Sequence, residues 1–100
     1  MAREISLTVN NNPIKLDFFV EGYIYHVTSG IIASLKDTDA IRTLELIVDE
    51  SGDIKIELNG KDIPLNFFAT EIIRNTFAGM VQNLKGVDGK LKTLELRINR

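Results

Sequence analysis

Apolar residues alternate with polar ones near the start of the chain. Ile5, Leu7 and Val9 are separated by single polar residues, and a period of two places them on one face of a strand. The Asn-Asn-Asn-Pro segment at 10–13 favours a turn, because asparagine tolerates left-handed backbone angles and proline fixes φ. A short second strand over 14–16 completes a predicted hairpin.

Apolar residues then recur at helical spacing in two stretches. Each stretch begins with a residue that can cap a helix, Asp17 or Asn66, followed by two phenylalanines. The first helix is predicted to end near Lys36 and Asp37. The second is predicted to end at Lys85 and Gly86, where glycine can adopt the left-handed conformation that closes a helix. The predicted buried positions are Val20, Tyr23, Ile24, Val27, Ile31 and Leu35 in the first helix, and Ile72, Ile73, Phe77, Met80, Val81 and Leu84 in the second.

Further strands are predicted before and after the second helix. Residues 54–58 alternate between apolar and charged, and the Asn59-Gly60 pair after them is a strong signal for a two-residue hairpin turn. A third strand is predicted after each helix. Its inward residues are Leu44, Leu46 and Val48 in the first case and Leu94, Leu96 and Ile98 in the second.

The chain contains this pattern twice. Ile14–Phe19 recurs in outline as Ile63–Phe68, at an offset of 49 residues, and after one inserted residue Thr43–Leu46 recurs as Thr93–Leu96. Each half, 1–49 and 50–100, is therefore predicted to fold as strand, strand, helix, strand, and the chain is interpreted as a pseudo-symmetric tandem repeat.

Six strands and two helices in 100 residues predict a single domain of the α+β class. The turn at 50–53 is too short to join separate domains. Because each strand has one apolar face, the sheet is expected to carry both helices on one side and water on the other, as a two-layer sandwich. Two strand orders remain open within each half: the third strand beside the second, or the first strand between them.

Composition narrows the function classes. The chain has no cysteine, which removes disulfides, thiolate metal sites and cysteine nucleophiles. It has no apolar segment behind the N-terminal charges and no apolar run near the roughly 20 residues that a bilayer span needs, so a cytoplasmic location is expected. The net charge of −2, with both signs interspersed, argues against nucleic acid and acidic membranes as partners.

The two phenylalanine pairs, Phe18 with Phe19 and Phe67 with Phe68, allow two interpretations. In the favoured one, one ring of each pair caps the sheet and the other covers the seam between helix and hairpin. In the second, one ring of each pair is exposed, and the two exposed rings form an apolar patch suited to homodimerisation.

Gly30 and Gly79 lie at equivalent places inside the two predicted helices, where glycine costs about 1 kcal/mol relative to alanine. A backbone approach too close for a Cβ, between the helices or between helix and sheet, would offset that cost. Close packing is therefore expected at both. A phosphate-binding role is not supported, because neither G-x-G-x-x-G nor a Walker-type motif occurs.

The polar residues predict no catalytic constellation, no cofactor and no metal site. His26 is the only histidine, and no carboxylate lies three or four residues away to orient its ring. The acidic residues near the central turn lack EF-hand spacing and are interpreted as loop charges. One polar constellation remains as a candidate ligand site if the helices pack side by side: Tyr25, His26, Arg74 and Asn75.

The segment Leu58–Phe68, with Gly79-Met80-Val81 and Leu84–Val87 after it, resembles short uncharacterised prokaryotic proteins that carry one strand-strand-helix-strand unit of about 50 residues. The first half departs from this pattern at residues 11–13 and at Asp37. The resemblance implies no activity. It does imply that a single unit can pair with itself, and this chain would then be similar to a fused dimer.

These patterns favour a non-enzymatic protein-interaction or structural domain that self-associates through an edge strand or an exposed phenylalanine patch. The alternative is a small-ligand-binding protein with its site between the two helices. A third hypothesis, nucleic-acid binding through residues 85–100, depends on five basic against two acidic residues there.

Overall fold

Six strands and two helices make up the computed structural model, which describes residues 3–35, 38–87 and 89–100. The elements are, in order, β1 (Glu4–Val9), β2 (Asn12–Ile14), α1 (Phe18–Ser34), β3 (Thr43–Val48), β4 (Ile54–Leu58), β5 (Lys61–Ile63), α2 (Phe67–Val81) and β6 (Leu94–Asn99). The predicted α+β class and the strand, strand, helix, strand order in each half are confirmed. Lys36 and Asp37, where the first helix was expected to end, lie outside the described residues.

The strands form one antiparallel sheet in the order β2-β1-β6-β3-β4-β5. The two central strands, β6 and β3, are the third strands of the two halves, and each also pairs with the first strand of the other half. Within the first half, β1 lies between β2 and β3, but β6 is interposed. Neither strand order considered from the sequence included this exchange, because strand alternation identifies faces and does not identify neighbours.

Both hairpin turns take the conformation that a two-residue loop requires. Asn10 and Asn11 have φ values of 50° and 67°, and Asn59 and Gly60 have 53° and 83°. Positive φ at both loop residues is the type I′ geometry, whose twist matches that of the flanking strands. The predicted Asn59-Gly60 hairpin is confirmed.

Helix starts agree with prediction, and one helix end does not. The Asp17 carboxylate accepts a hydrogen bond from the Val20 N–H at 2.8 Å, and the Asn66 amide oxygen accepts one from the Ala69 N–H at 2.8 Å. However, α2 ends at Val81, before the predicted Lys85 and Gly86. Turn bonds between residues three apart follow it, so the chain leaves the helix early.

The core lies between the sheet and one face of each helix. The predicted inward residues of the strands are buried, as expected. On the helices, the residues that reach the sheet recur every four positions: Ile24, Thr28 and Ile32 in α1, and Ile73, Phe77 and Val81 in α2. Val27 and Ile31 are only partly buried beside this row, because a step of one residue turns a side chain about 100° around the helix. Val20 continues the row one turn before Ile24 and is also partly buried.

The opposite face of the sheet is polar. Arg97 lies at its centre, with its Nε 2.9 Å from a carboxylate oxygen of Glu45 and its Nη2 3.3 Å from one of Glu95. The predicted water-facing side is thus confirmed. These two ion pairs also engage a basic residue on which the nucleic-acid hypothesis depends.

Candidate protein-interaction surface

All four paired phenylalanines are exposed to solvent. Phe18 and Phe19 expose 89% and 75% of their surface, and Phe67 and Phe68 expose 79% and 71%. The interpretation in which one ring of each pair caps the sheet is wrong. The row that faces the sheet in α1 passes through Ile24, so at about 100° per residue both rings point away from it.

The exposed apolar surface continues one turn further along each helix. Tyr23 and Ile72 expose 52% and 51% of their surface, although both were predicted to be buried. The Phe19 and Tyr23 rings stack with centroids 6.1 Å apart, which makes a continuous ridge on α1. These two residues and the four phenylalanines, Phe18, Phe19, Tyr23, Phe67, Phe68 and Ile72, are referred to below as the apolar patch.

A groove of about 470 Å³ separates the two helices. Its α1 wall belongs to the N-terminal half of that helix, and its α2 wall to the C-terminal half, as expected for antiparallel neighbours. Phe19 and Tyr23 therefore belong to the apolar patch and also line the groove. The lining residues are Phe19, Val20, Tyr23, Ile24 and Val27 from α1, with Thr76, Gly79, Met80, Asn83 and Leu84 following on the other side.

Gly30 and Gly79 are exposed to solvent and have no close neighbour outside their own helix. A Cβ built on Gly30 or Gly79 would meet no heavy atom within 4 Å. The expected close backbone approach at these two positions is therefore wrong within the chain. The cost of about 1 kcal/mol for each helical glycine has no compensation that the folded chain supplies.

Charge is nearly absent from the helices. Of the 17 residues in α1 only Glu21 is charged, and the 15 residues of α2 include only Glu71 and Arg74. Those last two pair with each other, with an oxygen-to-nitrogen distance of 2.6 Å. A helix face exposed to water is normally the charged one, whereas here the charges lie on the outer face of the sheet. The exposed side of the helix layer is therefore poor in charge, and the exposed side of the sheet carries the charged residues.

The four candidate ligand residues lie in two separate places. Tyr25 packs under the Arg3 guanidinium, 4.5 Å from its ring centroid, and lines a cavity with Arg100; the exposed His26 ring touches it edge-on. Arg74 instead donates to the Gly52 carbonyl oxygen at 3.2 Å.

Arg74 and Asn75 line a different cavity, beside the β3–β4 turn. The two cavities have no lining residue in common. The structure therefore does not bring Tyr25 and His26 together with Arg74 and Asn75, and it does not place any of the four in the groove between the helices.

The Asp49 carboxylate, in the β3–β4 turn, accepts several hydrogen bonds. The Ser51 hydroxyl donates to Asp49 at 2.6 Å, and backbone N–H groups of Ser51 and Asp53 donate to the same oxygen. The Ser51 hydroxyl, more than any other group, lowers the pKa of Asp49 below its ordinary value, although partial desolvation opposes it. These bonds stabilise a turn. Among the described residues, no group of three or more histidine or acidic side chains is placed to hold a metal ion.

The groove lies between the two helices, where the alternative hypothesis placed a ligand site, but the four candidate ligand residues do not line it. The buried positions of the helices were predicted from apolarity alone, and Tyr23 and Ile72 were therefore predicted to be buried. The scarcity of charge in both helices was the better signal, because a helix with one face on a sheet and one in water should carry charges. None of the helices that the structure describes has the length and apolarity of a membrane span. The chain matches no protein-family model, no curated protein and no solved structure.

Proposed function

We propose that this chain is a non-enzymatic protein-interaction domain whose binding surface is the outer face of its two helices. The size of the apolar patch is the main support. With about 200 Å² for a large side chain, the exposed fractions of its six residues leave on the order of 800 Å² of apolar surface in water. This area is divided between two clusters of about 400 Å² at opposite ends of the helix layer. Each cluster is within the range of about 300–600 Å² for the largest apolar patch on a typical monomer, and such patches are often functional.

Edge-strand association has less support than association through the helices. The two edge strands, β2 and β5, are only three residues each. β2 contains Pro13, which has no N–H to donate, and β5 begins with the charged pair Lys61 and Asp62. Short length, proline and charge are the features that discourage edge-to-edge pairing.

A membrane is also a poor fit as the partner. Interfacial helices that bind anionic bilayers carry lysine and arginine beside their apolar face. The carboxylates at or within the two helices are Asp17, Glu21 and Glu71, and the one arginine or lysine side chain of the helices, Arg74, is already paired with Glu71. These carboxylates would be repelled by an anionic bilayer surface.

Site-specific photo-crosslinking in the cells that make the protein tests this proposal. A benzophenone amino acid placed at Thr76, which lines the groove, should form a covalent adduct with another protein chain. The same group at Lys55 or Glu57, both exposed on the sheet, is the matched control and should form none. Equal adducts from both faces, or none from Thr76, would contradict the proposal.

A small-ligand-binding function is the second candidate, because the groove has an apolar lining and a volume within the range of about 300–1,000 Å³ typical of ligand sites. The groove itself supports this candidate, and the separated positions of Tyr25 and Arg74 do not. A screen of apolar fragments followed by the Met80 methyl signal in NMR spectra would test it. Binding that shifts Met80 and is lost in Val27→Asp would support a ligand site; an unresponsive Met80 would count against one.

A further inference from the structure

The chemistry of the outer helix face identifies its partner. We infer that it is a second copy of this chain, docked helix layer against helix layer, with the bulky half of each helix lying on the glycine-bearing half of a helix in the other copy. This inference depends on the proposed function, since it names the occupant of the same surface.

Area is the first argument. A standard protein interface removes about 800 Å² from each partner, and the exposed part of the apolar patch is of that order. The helix face is also broad enough for such docking. The molecule measures 35 × 35 × 18 Å, so the helices cover one broad side of a two-layer slab.

Charge is the second argument. A partner of different sequence is normally selected and steered by complementary charges. The helices offer little for this purpose, because Glu71 and Arg74 already pair with each other and only Glu21 is left. A face with so little charge does not repel its own copy, so two identical faces can meet without an unfavourable contact between like charges.

Shape is the third argument. Large exposed side chains lie in the N-terminal half of each helix, such as Phe19 in α1 and Phe68 in α2, and open glycines lie in the C-terminal half, Gly30 and Gly79. Because the helices are antiparallel neighbours, each bulky half lies beside the small half of the other helix. Bulky and small quarters therefore alternate over the face.

A face with this pattern is complementary to its own copy. Rotation of a second copy by 180° about the axis of the groove brings its bulky α1 half over the small α2 half of the first copy. In that arrangement Phe19 of one copy lies over Gly79 of the other, and Phe68 lies over Gly30. The absence of a Cβ at the two glycines, which nothing within the chain explains, then leaves room for the rings.

Sedimentation equilibrium of the full chain, over about 1 to 100 µM, tests the inference. We expect a species of twice the 11.2 kDa monomer mass. The double variant Gly30→Leu/Gly79→Leu should raise the dissociation constant about 100-fold, because leucine fills the space reserved for the rings. Its circular dichroism spectrum should be unchanged, since leucine favours a helix over glycine and both sites are open.

Ser6→Leu is the matched control, because it adds the same side chain to the exposed face of the sheet. It should leave the dissociation constant within about twofold. A dimer that survives the double glycine variant would overturn the inference, as would a monomeric wild-type chain. In the monomeric case, a photo-adduct from Thr76 to a different protein would leave the proposed function standing, whereas no adduct would remove both.

Discussion

Asn10 and Asn59 hold the starts of the two central strands through equivalent sets of hydrogen bonds. The Asn10 side-chain oxygen accepts from the backbone N–H groups of Lys92 and Thr93, at 2.7 and 3.0 Å, and its amide donates to the Lys90 carbonyl at 3.0 Å. Asn10 thus closes the hairpin of the first half while fixing the residues that lead directly into β6, which belongs to the second half.

Asn59 does the same in the opposite direction. Its side-chain oxygen accepts from the backbone N–H groups of Arg42 and Thr43, at 2.8 and 2.9 Å, and its amide donates to the Ala40 carbonyl at 3.0 Å. Its hairpin belongs to the second half, and the strand that it fixes, β3, belongs to the first. Each half therefore positions the third strand of the other, which joins the two halves into one sheet.

Removal of either asparagine side chain should destabilise the whole sheet. We expect Asn10→Gly to lower the free energy of unfolding by about 1–3 kcal/mol, because three hydrogen bonds of about 1 kcal/mol each are lost while glycine tolerates the positive φ. Asn11→Gly is the matched control: Asn11 has the same left-handed backbone in the same turn and is exposed. Urea denaturation of both variants checks this, and equal losses would contradict the role assigned to Asn10.

The two aromatic environments on α2 should respond in opposite ways to truncation. Phe77 is fully buried against the sheet, and we expect Phe77→Ala to cost about 3–5 kcal/mol. Phe68, nine residues earlier on the same helix, is 71% exposed, so Phe68→Ala should change monomer stability by no more than about 0.5 kcal/mol. Thermal unfolding at low protein concentration separates this from any effect on assembly. A large loss in Phe68→Ala would mean that its ring packs within the chain.

Local patterns in the sequence determine most of the fold. The caps at Asp17 and Asn66, the Asn59-Gly60 turn and the inward faces of the strands all follow from chemistry within a few residues of each site. The exchange of β3 and β6 does not. It depends on which strand edge each crossover reaches, and alternation along one strand contains no information about its neighbours.

Which apolar side chains are exposed was harder to predict, because apolarity alone does not distinguish a side chain buried in the core from one exposed at a binding surface. Tyr23 and Ile72 were assigned to the interior by rules that hold for a monomer with a solvated exterior. The favoured interpretation of the phenylalanine pairs followed the same rules, whereas the second interpretation left one ring of each pair exposed. The prediction of close packing at Gly30 and Gly79 was wrong for the same reason, because it considered only contacts within the chain. The small number of charged residues in both helices was the observation that could have corrected these predictions.

The pKa of Asp49, in the β3–β4 turn, provides a further test. Hydrogen bonds, above all from the Ser51 hydroxyl, lower the pKa of Asp49 in the folded chain. Stability from this turn should therefore be complete above the ordinary aspartate pKa of about 3.9, and should be lost as the pH falls through the lower folded value. We expect Ser51→Ala to raise the pKa of Asp49 in an NMR titration, while Ser6→Ala, on the far sheet face, leaves it in place. A pKa that does not rise in Ser51→Ala would show that the hydroxyl is not the dominant cause.

Thr28 occupies the position in α1 that Phe77 occupies in α2, and both are fully buried in the centre of their helix. The Thr28 hydroxyl has no hydrogen-bond partner among the described residues. An unpaired hydroxyl in the core costs about 1–3 kcal/mol, so Thr28→Val should stabilise the chain by about 1 kcal/mol and raise its Tm by about 4–8 °C. Thr76→Val is the control, because the Thr76 hydroxyl is exposed and donates to the Ile72 carbonyl at 2.7 Å. That variant should change stability by less than about 0.5 kcal/mol. A lower Tm for Thr28→Val in calorimetry would contradict this prediction, because it would mean that the Thr28 hydroxyl has a hydrogen-bond partner in the folded chain.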